Sequence, residues 1–338
     1  LESYGMKVMV SIWPQVQLDS VNYPEMDAEG YLARTDKGVG IQFHSSDGDV
    51  MFFDFTNPKA RKYIWSLIKK NYYDYGIKTF WLDEAEPEFT VYDFENYRYH
   101  SGPVLQTGNI YPQTYARAFY DGQKGEGQKE VVNLLRCAWA GSARYGALVW
   151  SGDVHSNFPT LRRQICAGLN MGIAGIPWWT TDIGGFVGGN IYDPEFQELL
   201  VRWFQWGTFC PVMRLHGTRT PRDEIRTAAG ELRHGSGATN EIWSYGEENY
   251  EIFKRHIEFR ERMRDYTRSL MEQASENGSP VIRTMFYEFP QDELCWDLKD
   301  QYMYGADVLV APVTELNARE RTVWLPAGET WTDLHSGK

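Results

Sequence analysis

Cysteine is scarce in this chain and nothing pairs it. Cys137, Cys166, Cys210 and Cys295 lie far apart among 338 residues, with no CxxC and no Cys/His cluster. That argues against a zinc site or a disulfide framework and leaves buried free thiols as the expectation. Basic charge is also in deficit: 34 Lys and Arg stand against 46 Asp and Glu, a formal net charge of −12, and no basic run occurs. Nucleic acid and anionic membrane surfaces both need a positive footprint, so neither is expected as a partner. No apolar run approaches the ~18 residues of a membrane span. Missing too are a glycine-rich phosphate loop after a strand, a GxSxG elbow and an HExxH pair. Dinucleotide binding, serine-nucleophile chemistry and zinc proteolysis lose their support with them.

Aromatic residues, by contrast, make up 15% of the chain, with 13 Trp and 21 Tyr. Trp and Tyr carry polar atoms that want a partner or water, so the number exceeds what a core alone would hold. A neutral, hydroxyl-rich ligand that stacks on rings accounts for the surplus. The chain starts at Leu1, in LESYG, which reads as a helix end without Met or a signal pattern. The expectation is a fragment whose upstream part is absent, which leaves compartment and oligomeric state open.

Short β-branched or aromatic runs alternate with helix-length segments. The runs are 7–14, 77–83, 131–138, 146–153, 172–179 and 208–216; segments 57–75, 111–129, 158–169 and 193–206 carry apolar residues at helical spacing. Asn57-Pro58 and Asp193-Pro194 mark two helix starts. Near-continuous apolar strands joined by helices predict an α/β fold with a parallel sheet covered on both faces. Six strand–helix units fit a (β/α)8 TIM barrel that lacks its first two strands, with a doubly wound open sheet as the alternative. Segments 15–55 and 84–110 are far longer than ordinary connections, and barrels build active sites from such loops. Beyond the helical region 247–276, segments 306–313 and 321–328 alternate like antiparallel strands. Residues 1–304 are therefore read as a partial catalytic barrel and 305–338 as the start of a C-terminal β-sandwich domain.

The stretch FWLDEAEPEF, residues 80–89, runs from an apolar strand into Asp83, Glu84, Glu86 and Glu88. A single aspartate at a strand end is ordinarily a helix cap or a loop hydrogen bond. Here, however, Asp83, Asp153, Asp182 and the pair Arg214/His216 all follow predicted strands, several beside tryptophan. In a barrel such ends share one mouth. Two carboxylates flanking one bond are what glycoside cleavage requires, one protonating the leaving oxygen and the other staying ionised. A calcium or magnesium site at the acidic run is disfavoured, because the Asx–Gly loop spacing is absent and Pro87 stiffens the run. No metal and no cofactor is expected.

These residues carry a family resemblance. Trp81-Leu82-Asp83-Glu84-Ala85-Glu86-Pro87 matches W-[IL]-D-x-x-E-P; Gly141-Ser-Ala-Arg144-Tyr145 with Trp150-Ser151-Gly152-Asp153 matches G-x-x-R-Y…W-x-G-D. Gly175-Ile176-Pro177 through Asp182-Ile183-Gly184-Gly185-Phe186, and Arg202-Trp203 through Arg214 and His216, complete the pattern. Over almost its whole length the chain resembles the catalytic domain of glycoside hydrolase family 31, which holds α-glucosidases, α-xylosidases and related transglycosylases. The resemblance implies Asp83 as nucleophile and Asp153 as acid/base of a retaining double displacement. It also implies Asp182, Arg144 and His216 as hydrogen-bonding partners of the sugar, with Trp150 and Trp81 walling the pocket. Arg136 and Arg214 read as braces of the mouth, and Glu84 and Glu88 as solvated loop charge. Asn22-Tyr23-x-Glu25-Met26, Asn109-x-Tyr111-Pro112 and Ala118 to Gly122 resemble the bacterial α-xylosidase branch. The implied substrate is an oligosaccharide with a terminal α-linked xylose; α-glucosidase, transglycosylase and a non-catalytic sugar-binding relative stand as alternatives.

Overall fold

The computed structural model describes residues 1–45, 48–87, 94–226, 228, 230, 232–234 and 237–338. The chain folds as two compact units, Leu1–Trp150 and Ser151–Lys338.

The first unit is built on a four-stranded parallel sheet ordered Met9–Ile12, Thr79–Leu82, Asn133–Leu135, Ala147–Val149. Leu82 and Leu135 are fully buried and Val149 nearly so, as the near-continuous apolar runs require. Two helices cross between these strands. Pro58–Asn71 starts where the Asn57 side chain accepts from the Lys59 amide at 2.9 Å, and it buries Ala60, Ile64 and Ile68 one turn apart. Tyr111–Gly125 buries Tyr111, Tyr115, Ala118 and Phe119. Gly122 lets these two helices approach: a Cβ there would lie 2.1 Å from the Trp65 ring. Helix and sheet are also stitched by buried amides. The Asn133 side chain accepts from the Phe80 amide at 3.2 Å and donates to Gln123 Oε1 at 2.8 Å, while Gln123 donates to the Lys78 carbonyl at 2.8 Å. Gln15–Gln17, Gly48–Phe52 and Gln42–Ser45 form a separate antiparallel sheet within the first long loop.

The second unit contains helices Phe158–Ile173 and Pro194–Gly207, capped by Asn157 and Asp193, the latter a start that the sequence marks. The runs expected as strands at 172–179 and 208–216 are different in detail. Residues through Ile173 continue the helix and a turn at 174–175 follows it; beyond, single parallel bridges join Ile183 to Leu215 and His155 to Val187, and Gly189–Asn190 pairs in parallel with Arg219–Thr220. Backbone hydrogen bonds, Ile183 N to Arg214 O at 3.1 Å and Val212 N to Trp179 O at 3.2 Å, hold these segments side by side. Helices Glu247–Arg262 and Arg264–Asn277 follow. An antiparallel sheet, Ile282–Thr284, Tyr302–Tyr304, Val308–Val310, closes the fold and straddles residue 304. Residues 321–328 form no strand. Instead the Gln301 amide clasps Trp324, donating to its carbonyl at 2.6 Å and accepting from its N–H at 2.9 Å.

Candidate active site

In the first unit, the parallel register places chemistry at one end of the sheet. Met9–Ile12, Thr79–Leu82 and Asn133–Leu135 all finish at the same level, because Asp83 N donates to Ile12 O and Arg136 N to Leu82 O. Trp150 N continues the pattern to Leu135 O. Asp83, Arg136 and Trp150 therefore share the C-terminal end. Asp83 is buried, its Oδ1 accepting the Glu84 amide at 2.9 Å and lying 3.4 Å from Arg136 Nη1. The same guanidinium reaches Glu84 at 3.6 Å and Glu86 at 2.8 Å. Glu84 is consequently no solvated loop charge: it is buried, with φ +51° in a region L-residues seldom occupy. One guanidinium thus contacts three carboxylates and fixes how Asp83 is oriented among them. Trp81 and Trp150 meet edge to face, ring centroids 5.6 Å apart at 85°. Glu88 lies outside the described residues.

Arg144 is the expectation the geometry corrects. It sits on the short turn Ser142–Tyr145, which precedes Ala147–Val149, at the end of the sheet opposite Asp83. Its guanidinium is exposed and lies 5.7 Å from the Tyr145 ring, which packs on Tyr120 of helix Tyr111–Gly125. The arginine at the carboxylates is Arg136. The motif G-x-x-R-Y pointed to Arg144, whereas Arg136, read as a brace of the mouth, lies near the end of the predicted run 131–138 as Asp83 does of 77–83.

In the second unit, Asp153 follows Gly152, whose φ of +72° turns the chain, and its side chain is exposed. Ser151 ties this turn to the next segment: its Oγ lies 3.3 Å from Thr181 Oγ1 and 3.4 Å from the Asp182 amide. Asp182 is fully buried and paired with Arg214 through Oδ1, whereas its buried Oδ2 has no hydrogen-bond partner among the described residues. Burial, reinforced by the Asp153 charge, pushes its carboxyl up to about 7 despite the Arg214 pairing. His216 is drawn the other way: burial, then Arg214 and Arg219, lower it to about 4, so its imidazole is neutral near pH 7. Its ring stacks on Phe186 at 5.5 Å. Sequence reasoning passed over Arg219, a fully buried cation that donates to the Ile183, Gly185 and His216 carbonyls.

The first unit thus offers buried carboxylates and an indole wall, and the second carboxylates with buried hydrogen-bonding groups, the kinds of group that sugar chemistry needs. Among the described residues no cluster of three metal-binding side chains occurs, and no helix is long and apolar enough to cross a membrane. The glycosyl hydrolases family 31 TIM-barrel domain matches residues 1–270, and the glycosyl hydrolase family 31 C-terminal domain matches 278–338. A crystal structure of a GH31 alpha-xylosidase from a soil metagenome, complexed with xylose, superposes with a TM-score of 0.95 at 58% identity, over 100% of this chain and 50% of that one. A protein of Pseudescherichia vulneris named as a family 31 glucosidase is 62% identical over 222 residues, covering 66% of this chain and 42% of its own. The alpha-xylosidase of Saccharolobus solfataricus is 34% identical over 346 residues, 100% of this chain and 42% of its own. The chain spans between 42% and 50% of the length of these three relatives. On the family models and these identities together, the chain belongs to glycosyl hydrolase family 31.

Proposed function

We propose that the protein is a retaining α-glycoside hydrolase that releases terminal α-linked xylose from oligosaccharides. The observation that carries this reading is Asp83: a buried carboxylate at the C-terminal end of a parallel strand, oriented by Arg136 beside a Trp81–Trp150 wall. In the first step an Asp83 oxygen bonds to the anomeric carbon while the bond to the leaving oxygen breaks, and Asp153 donates its proton to that oxygen. In the second, water attacks the same carbon, Asp153 takes the water's proton, and the bond to Asp83 breaks. Two inversions give net retention. Asp182 and His216 hold the sugar hydroxyls, with Asp182 Oδ2 as a buried acceptor and the neutral His216 ring as donor or acceptor. Arg136 takes the place first given to Arg144.

The test is kinetic. Asp83→Ala in the intact protein should lower kcat/KM for an aryl α-xyloside by about 10⁴-fold or more, as loss of a covalent nucleophile does. Added azide should then yield the β-glycosyl azide. Near-normal turnover by the variant would end the case for Asp83. A second reading, α-glucosidase, is favoured by the 62%-identical relative whose name says glucosidase. Comparing kcat/KM on aryl α-xyloside and α-glucoside decides between them, and product analysis at high acceptor concentration separates hydrolysis from transglycosylation.

A further inference from the structure

The glycines of Asp182-Ile-Gly-Gly-Phe and His216-Gly do not line a space for a ligand. A side chain lies there already. A Cβ on Gly184 would stand 2.8 Å from Arg219 Nη2, and Cβ atoms on Gly217 and Gly189 would stand 2.6 Å and 3.0 Å from Nη1. Arg219 is fully buried within this cage, its guanidinium 4.9 Å from the Phe196 ring centroid. Its hydrogen bonds run to three separate stretches of chain. Nη1 donates to Gly185 O at 2.8 Å, Nη2 to Ile183 O at 3.1 Å and to His216 O at 3.3 Å, and Nε to Asn240 Oδ1 at 2.8 Å. Asn240 Oδ1 is fixed in turn by the Tyr245 hydroxyl at 2.6 Å. Among the described residues no carboxylate hydrogen-bonds this cation; every acceptor is neutral.

A buried charge without a bonded counter-ion is costly, and a core of apolar residues would be more stable. The arrangement therefore asks for a reason other than stability. Only a planar fork with five N–H donors can hold four oxygens from three segments in one plane; the three donors of an ammonium diverge from a point. Two of the segments are those that carry Asp182 and His216. We propose that Arg219 is the positioning residue of the sugar pocket: it fastens the segment that carries Asp182 to the segment that carries His216 through their backbone carbonyls. It thereby fixes the spacing of the two side chains that hold the sugar. This rests on the proposed roles of Asp182 and His216.

A double-mutant cycle on an aryl α-xyloside, in the intact protein, tests it. Arg219→Lys keeps the charge and loses the fork, and should lower kcat/KM about tenfold, the cost of hydrogen bonds set slightly wrong around a charged group. In an Asp182→Asn background the same replacement should cost less than about twofold, because the group being positioned is already altered. A full tenfold loss in both backgrounds, or no loss in either, overturns the proposal. If Arg219→Lys does not fold, Asn240→Ala, which frees only Nε, is taken through the same cycle. It should cost about twofold to threefold, and only where Asp182 is present; equal losses in both backgrounds overturn the proposal as well. Were the unmutated protein inert on every aryl α-glycoside, the hydrolase reading itself would fall, an outcome distinct from equal losses in the variants.

Discussion

At the scale of single residues, charge arrangement decides behaviour. Arg136 faces Asp83, Glu84 and Glu86. Arg136→Gln should leave three carboxylates facing one another without their cation, so that variant should melt at a lower temperature than the unmutated protein near pH 7. Thermal melts would show it, and equal melting temperatures would contradict it. Asp182 has a second, calculable consequence. Its folded-state pKa, about 7, lies above the unfolded value of 3.8, so the folded state binds the proton more tightly. Between those values the group makes stability fall as pH rises, by at most about 1.4 kcal/mol per unit. Asp182→Asn should remove that slope, flattening the melting temperature between pH 4 and 7. Asp83 was legible in the sequence because an apolar strand ran directly into it. Arg136, read as a brace of the mouth, does contact it, whereas the place of Arg144 was not legible: only the parallel register shows that the two arginines lie at opposite ends of the sheet.

At the scale of elements, caps and periodicity carried far. Asn57, Asn157 and Asp193 each accept a first-turn amide, at 2.9, 2.8 and 3.0 Å, so those helix starts could be read from local chemistry alone. Alternation misled at residues 321–328, where apolar spacing mimics a strand but the segment is pinned by side chains, the Gln301 amide on Trp324 and Arg321 on the Asp300 and Pro312 carbonyls. The Gln301 contact joins residues 23 positions apart and leaves no periodic trace. The stretches that point to the α-xylosidase branch also look different in place: Met26, Tyr111, Ala118 and Phe119 are core residues. They report how the first unit packs rather than what touches a sugar. Gly122→Ala belongs at this scale. Alanine favours a helix by about 1 kcal/mol, yet its methyl would overlap the Trp65 ring. Overpacking of this kind costs about 1–3 kcal/mol, so net destabilisation is expected in denaturant unfolding. A more stable variant would show that Trp65 moves aside.

At the scale of the whole chain, composition foretold more than it explained. All four cysteines are free thiols, but only Cys210 and Cys295 are buried, where the expectation was burial of all four. The melting temperature should therefore be the same with and without reductant, and a drop on reduction would reveal a bridge. The aromatic surplus has a more structural destiny than a sugar-stacking role implies. Tyr111 and Tyr115 are fully buried, their hydroxyls donating to Phe53 O at 2.7 Å and Ile12 O at 2.8 Å, and Phe55 stacks on Tyr115 at 4.3 Å. Much of the ring content builds the core: these two hydroxyls have each found a carbonyl, whereas the buried indole N–H groups of Trp178 and Trp179 have no hydrogen-bond partner among the described residues. The amide pair Asn133–Gln123 has a consequence on a longer clock. Each side chain is fully buried and completes the other's hydrogen bonds, so changing either alone strands a polar atom inside the fold. Among descendants of this sequence the two positions should be replaced together or not at all, a coupled inheritance that an alignment of such descendants would display.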